Sequence, residues 1–410
     1  MESRYTIRGL NRRIYYIGIT RLIRSTGRSS TFIFMPLVLI EVYNLSFLLA
    51  GALLGIATLI MATVQLYSGR LTDRLGRRFF MVLVPIPNIL FFFLMFLSVL
   101  KHFSPVILVG SWFASVIVNA LQFPALQASV ADMSTPEDRM SAYTMVRVMV
   151  NTGTAIGPLL GGFLATIGFE YIFLVASIAT IIEIFILYLA VPETYTPGAE
   201  SASSYSQKGL KSTLGNRFFL SFVLVGILFM FFYRQEGVSL SVYAIVLSKL
   251  PLIDLGYLYA INGFLVVLLQ FRILKLMTSR WSPLIWRGIG VLFYAGSFLF
   301  LSISPAFIVI IIFMIISTMG ENFTSPTTQT IVTLIAPVDK RGTYIGAYSF
   351  YTSFGSFAGS VLGLLMLSYL RGITPLFWIL VGIGTFVIAI LYMLLDHSFT
   401  QQSAPESRST

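Results

Sequence analysis

The chain is 410 residues long, 57% hydrophobic and only 10% charged, and phenylalanine alone contributes 36 residues. Soluble globular chains carry about 25% charged and about 45–50% apolar residues, so the composition excludes a water-soluble enzyme and points to a polytopic membrane protein. There is no cysteine, and the two histidines, His102 and His397, stand far apart, which leaves no material for disulfides, a thiolate or histidine metal centre, or a His-based catalytic triad. The net charge of +11 reads as basic cytoplasmic loops, not as a nucleic-acid surface.

A bilayer-spanning helix needs about 20 mostly apolar residues. Apolar runs separated by charged or Pro/Gly/Ser breaks predict twelve helices, at 15–42, 46–67, 79–100, 104–128, 141–166, 170–191, 217–247, 253–276, 284–304, 306–335, 343–369 and 374–395. The basic start (Arg4, Arg8, Arg12, Arg13) precedes a long apolar run with no small-residue cleavage site, so it reads as a retained first helix. The stretch 192–216 is rich in Ser, Gly and Pro and reads as a flexible linker. It divides the chain into an N-terminal six-helix bundle (1–191) and a C-terminal one (217–395), with 396–410 as a tail. With the N-terminus inside, 19 Lys and Arg fall on the cytoplasmic side, including Arg287 at the edge of the ninth span, while Lys101, Lys249 and Arg371 lie outside. That bias predicts cytoplasmic termini and a cytoplasmic linker.

The two halves repeat at an offset of 202 residues: Pro124, Gln127, Val130 and Arg139 match Pro326, Gln329, Val332 and Arg341. Gly153, Gly157 and Gly161 match Gly355, Gly359 and Gly363, and Arg70 and Arg78 match Arg272 and Arg280. Internal repeats are a recurring transporter design.

Two segments carry the most specific pattern. Between spans 2 and 3 stands Gly69-Arg70-Leu71-Thr72-Asp73-Arg74-Leu75-Gly76-Arg77-Arg78, and span 5 contains Gly153, Gly157, Pro158, Gly161 and Gly162. In the loop, Gly69 and Gly76 permit a tight turn, the arginines hold the cytoplasmic face, and Asp73 can accept charge-assisted hydrogen bonds. In span 5, glycines four residues apart clear one helix face for a neighbouring backbone, and Pro158 can bend the helix. These segments resemble the GxLxDRxGRR loop and the GxxxGPxxGG helix of the major facilitator superfamily, the second being associated with proton-driven drug efflux. The resemblance implies twelve helices as two pseudo-symmetric bundles around a central cavity. It implies a latch role for Gly69, Asp73, Arg74, Gly76, Arg77 and Arg78, and a bendable close-packed interface between halves at span 5.

Span 4 departs from that pattern. Where efflux members carry an arginine in an RxxQG stretch, this chain reads Asn119-Ala-Leu-Gln122-Phe123. The repeat sets Asn119 opposite Glu321, each five residues before a proline, and Tyr233 and Gln235 resemble one drug-efflux branch.

Ionisable residues inside spans face a cavity or a partner. Arg28, Arg147, Arg234, Glu183, Glu236 and Glu321 are the deep ones, and Arg21, Arg24 and Arg28 share one helix face. Internal ion pairing is the expectation for Glu183 and Arg147. Glu321, Glu236 and Arg28 are expected at a cavity, with Asn119, Gln122, Tyr233, Gln235 and Arg147 as further candidates and Phe34, Phe123 and Trp112 as lining. The reading is a secondary active transporter of the cell membrane, a monomer with no cofactor, driven by a proton gradient and exporting small amphipathic compounds or drugs. The alternatives are uptake of a small organic anion, with Arg28 and Arg147 as charge partners, and a non-transporting membrane sensor. No GxxxxGK[ST] segment is present, so ATP-driven pumping by this chain is not expected.

Overall fold

The computed structural model describes residues 10–135, 138–193, 213–277, 281–337 and 340–403. In lipid each backbone N–H and C=O needs an internal partner, which a helix supplies within one segment. The described residues form twelve long helices and no strand: α1 (Arg12–Phe32), α2 (Phe47–Leu75), α3 (Ile86–Leu100), α4 (Pro105–Asp132), α5 (Arg139–Ile167), α6 (Glu170–Ala190), α7 (Arg217–Gly237), α8 (Leu252–Met277), α9 (Pro283–Leu301), α10 (Phe307–Ile335), α11 (Arg341–Tyr369) and α12 (Thr374–Ser403). Eleven segments are long and apolar enough to cross a membrane. The twelfth helix, α1, holds Arg12, Arg13, Arg21, Arg24 and Arg28 and stands where the first span is expected. The expected linker lies largely outside the described residues, and α12 runs to Ser403, beyond the expected span end at 395.

Helix starts follow from local chemistry. Ser104 and Ser282 each precede a proline at the first helical position and accept an orphan N–H with the side chain, from Val106 at 3.4 Å and Ile285 at 3.3 Å. Asn216 does the same for Phe219 N–H at 3.0 Å. A proline there loses nothing, since its missing N–H would have been unpaired.

The chain forms two compact units. The first contains residues up to Leu45, Ile60–Ser203 and Lys249–Val267; the second contains Ser46–Leu59, Ser204–Ser248 and Leu268 onward. The start of α2 therefore belongs with the second unit and the start of α8 with the first. Within the first unit α1 packs on α5 and α6, and α3 packs on α4 and α6. Within the second, α9 packs on α10 and α12, and α7 packs on α11 and α12.

The repeat is visible in each unit's packing. A Cβ at Gly153 would strike the Leu22 carbonyl, at Gly157 Ser29 Oγ and the Thr26 carbonyl, and at Gly161 the Ser30 carbonyl. In the second unit Gly355 meets the Ile227 carbonyl, Gly359 the Phe231 carbonyl and Arg234, and Gly363 the Gln235 side chain. Glycine is needed because two backbones touch. The first and seventh spans also end alike. A π-helical turn (Val38–Val42, Tyr243–Leu247) leads to a residue with positive φ, Asn44 at 51° and Lys249 at 56°. These equivalences run at an offset of 205 residues, three more than the offset read across spans 2, 4 and 5.

Candidate functional site

In the first unit the polar centre is a buried cluster on α1, α4 and α6. Arg24 Nη1 lies 3.3 Å from Glu183 Oε1, and its Nη2 donates to Asn119 Oδ1 at 2.7 Å. Gln122 Nε2 donates to the same Glu183 oxygen at 3.1 Å and to the Met81 carbonyl at 3.1 Å. Asn119 is itself held by donation to the Ser115 carbonyl at 2.7 Å. Glu183, Arg24, Asn119 and Gln122 thus act as one network. Glu183 pairs as expected, but its partner is Arg24. Arg147 is exposed on α5 and takes no part in this network.

Arg21 and Arg28 flank this network on the same helix. Arg21 lies over the Phe123 ring, 5.6 Å from its centroid, and Arg28 is exposed with Nη2 3.8 Å from Met61 Sδ. Phe123 is exposed, whereas Phe34 and Trp112 are buried in the core. Those two aromatics are packing residues.

In the second unit Glu236 on α7 is buried, and Ser317 Oγ on α10 donates to its Oε1 at 3.0 Å. Glu321, four residues on from Ser317 and so on the same helix face, is half-buried and is the charge acting on Glu236. Tyr294 on α9 feels both carboxylates. Its ring packs edge-on to Tyr233 at 5.5 Å, and Tyr233 stacks on Phe229 at 5.7 Å. The two glutamates selected from the sequence are therefore neighbours beside an aromatic cluster. Gln235 has a packing role: it donates to the Phe231 and Gly359 carbonyls at 2.8 and 3.0 Å and accepts from Ser239 at 2.5 Å. Arg234 Nε donates to Ser360 Oγ at 2.9 Å.

Arg287 departs from the expectation of a cytoplasmic loop charge. It is fully buried on α9. It donates to the Thr324 carbonyl at 3.0 Å, to Thr328 Oγ1 and to Tyr348 OH at 3.2 Å, and it lies over the rings of Phe222, Phe229 and Tyr392. Ring faces and carbonyls stand in for a counter-ion here. Hydropathy along the chain shows one charge near a helix start and nothing of Tyr348 and Tyr392, which α11 and α12 bring to it.

At the expected latch, α2 continues through Gly69 to Leu75, so Gly69 is helical and the turn is made at Gly76 alone, with φ of 91°. The side chains of Arg70 and Asp73 lie outside the described residues, and Arg74 is exposed. Two other acids organise the segment. Arg77 Nε pairs with Asp132 Oδ2 at 2.7 Å, and the Arg77 and Arg78 N–H groups donate to Glu193 Oε1 and Oε2, each at 3.1 Å. Arg78 also donates to the Tyr188 carbonyl at 3.0 Å and lies 5.3 Å from that residue's ring centroid. Glu193 sits where a helix N-terminus leaves unpaired N–H groups.

In span 5, Gly153, Gly157 and Gly161 pack on α1 inside the first unit, not at an interface between halves. Pro158 and Gly162 pack on the start of α8, which belongs to the same unit: Gly162 meets Gly256, and a Cβ at Gly256 would lie 2.7 Å from the Pro158 carbonyl.

Residues 17–360 match the model of the Major Facilitator Superfamily. The chain is 26% identical over 336 residues to multidrug resistance protein 2 of Bacillus subtilis (strain 168), covering 77% of this chain and 80% of that protein. It is 25% identical over 334 residues to a Na(+), Li(+), K(+)/H(+) antiporter of Planococcus maritimus, covering 75% and 78%. Among solved structures, a POT family transporter in complex with 5-aminolevulinic acid superposes with a TM-score of 0.80 at 15% identity, covering 97% of this chain and 98% of that one.

Proposed function

The chain belongs to the major facilitator superfamily, and on that premise we propose that it is a proton-coupled secondary transporter that exports small amphipathic compounds by alternating access. The observation that carries this reading is the pairing of Glu236 and Glu321 in the membrane-spanning part of the second unit, with Ser317 on one carboxylate and Tyr294 and Tyr233 beside them. Neighbouring carboxylates take up and release protons as a pair, and ionisable groups at this depth mark ion and substrate pathways. The adjoining rings suit an apolar substrate body. The names of the two relatives, a multidrug resistance protein and a cation/proton antiporter, support export against protons. The motifs at Gly69–Arg78 and Gly153–Gly162 serve the conformational cycle in this reading.

The test is flux in proteoliposomes under an imposed pH gradient, with a panel of cationic dyes and aromatic anions. Substrate movement opposite to protons, abolished by a protonophore, is expected. Movement of substrate together with protons overturns the export reading, and gradient-independent behaviour of the whole panel overturns proton coupling.

A further inference from the structure

We propose that Arg21 and Arg28 of the first unit form a binding site for the anionic group of an aromatic organic acid, with Phe123 receiving its ring. This deepens the transporter reading and rests on it, by naming one substrate class.

Three arginines occupy one face of α1, and one of them is neutralised. Arg24 is committed to Glu183 and Asn119. Arg21 feels the charges of Arg24, Glu183 and Arg28, while Arg28 feels the like charge of Arg24. Among the described residues, Arg21 rests on a ring face with Nε buried and without an acceptor, and Arg28 has a thioether as its neighbour. Sulfur is a weak acceptor, so two guanidiniums keep nearly all of their donor capacity.

Their depth makes this unusual. Arg28 lies sixteen residues into α1 from Arg12, roughly 24 Å along the axis at ~1.5 Å per residue, on the helix that stands where the first span is expected. A cation held there without an anion is unfavourable. Packing leaves Arg28 and Phe123 exposed, so a ligand can reach them. Arg21 and Arg28 are two turns apart, about 10 Å along the helix, and their long side chains can converge on one carboxylate, sulfonate or phosphate. Guanidinium forks match these groups with paired hydrogen bonds. The Glu183–Asn119 clamp keeps Arg24 from competing, so its role is to hold α1 in place. The exposed Phe123 face beside Arg21 selects an aromatic acid over an inorganic anion.

The experiment uses the full-length protein purified in lipid-free detergent, titrated at equilibrium with 1-naphthoate, the neutral 1-naphthamide, the cationic 1-naphthylmethylammonium, sulfate, and dioleoylphosphatidylglycerol. Thermal stabilisation and equilibrium dialysis are the readouts. Saturable binding of 1-naphthoate is expected, with the amide and the ammonium much weaker, and Arg28→Gln or Arg21→Gln should weaken it about tenfold or more. Arg28→Lys should recover part of that loss by keeping the charge, with a melting temperature near wild type showing that the fold is intact. Equal binding of naphthoate and naphthamide, or wild-type affinity in both Gln variants, overturns the site. Tighter binding of phosphatidylglycerol, with displacement of naphthoate, overturns the organic-acid assignment in favour of a lipid headgroup. No pH gradient is present, so loss of coupled flux with intact naphthoate binding counts against the transport reading alone. Gradient-driven flux without naphthoate binding counts against this site alone.

Discussion

Arg24 and Glu183 meet at 3.3 Å inside the first unit, with side chains 10% and 3% exposed, and Gln122 donates to the same carboxylate oxygen. Removing one member of such a pair strands a buried charge, which costs about 3–5 kcal/mol, whereas replacing both by apolar residues of similar size is often neutral. Arg24→Met and Glu183→Met should each lower thermal stability strongly, and the double variant should recover most of it. Melting of the purified protein in detergent measures this. A double variant destabilised by the sum of the two single losses would show that the pair is not coupled.

Arg287 makes a contrasting case. It is also fully buried, but its recorded partners are a carbonyl, two hydroxyls and three rings. Arg287→Met strands no charge, and the Thr324 carbonyl keeps the Thr327 and Thr328 hydroxyls as donors. Chiefly the Tyr348 hydroxyl loses a partner, worth about 1–3 kcal/mol, so the variant should be milder than Arg24→Met. The same melting series ranks the two, and the reverse order would refute the aromatic cage as the source of Arg287's accommodation.

Much of this was legible before any coordinates. Twelve apolar runs translate into helices because lipid leaves the backbone no other internal partner, and the Gly153 and Gly355 series mark backbone contacts because only glycine tolerates them. Glu236 and Glu321 stood out as acids in spans, and they are neighbours. What stayed hidden depends on which helix faces which. The offset of 205 between α1 and α7 escaped a comparison anchored at 202, since those helices share backbone geometry more than side chains. Arg24 reads in the sequence only as one of three arginines on a shared helix face, and its partners Glu183 and Asn119 stand on other helices. Glu193 gives no sign of capping Arg77 and Arg78, because it lies in the linker, more than a hundred residues along the chain from them.

The glycine contacts give a direct stability test. A Cβ at Gly157 falls on Ser29 Oγ and the Thr26 carbonyl, while none of the described atoms lies within 4 Å of one at Gly296. Gly157→Val should force α1 and α5 apart and sharply reduce folded yield. Gly296→Ala should be neutral or stabilising by about 0.5–1 kcal/mol through backbone entropy. Size-exclusion yield and melting of the two variants check the contrast.

Gly76 and Glu193 define the turn that follows α2. With φ of 91° and the Glu193 carboxylate 2.8 Å from where a Cβ would sit, Gly76→Ala both strains the backbone and pushes the capping acid away. Glu193→Ala removes the acceptor for two N–H groups at an exposed site, a change of about 1 kcal/mol. Both variants should slow transport more than they reduce yield. An unchanged initial rate in either, at wild-type protein level, would remove this turn from the transport cycle.

The last prediction concerns the roles of Glu236 and Glu321. Ser317 holds one carboxylate at 3.0 Å and the other is the charge acting on it, and in the proposed proton-coupled cycle this pair is where the proton is exchanged. Glu321→Gln keeps shape and hydrogen bonding but removes the charge change. In proteoliposomes this variant should still exchange labelled for unlabelled substrate, yet lose accumulation against a concentration gradient when a pH gradient is imposed. Ser317→Ala, which takes one donor from Glu236, should keep coupling and shift the pH dependence of transport, because it changes the environment of one member without deleting either. Full gradient-driven accumulation in Glu321→Gln would assign coupling to Glu236 alone. The same result in a Glu236→Gln, Glu321→Gln double variant would remove the pair from proton coupling altogether.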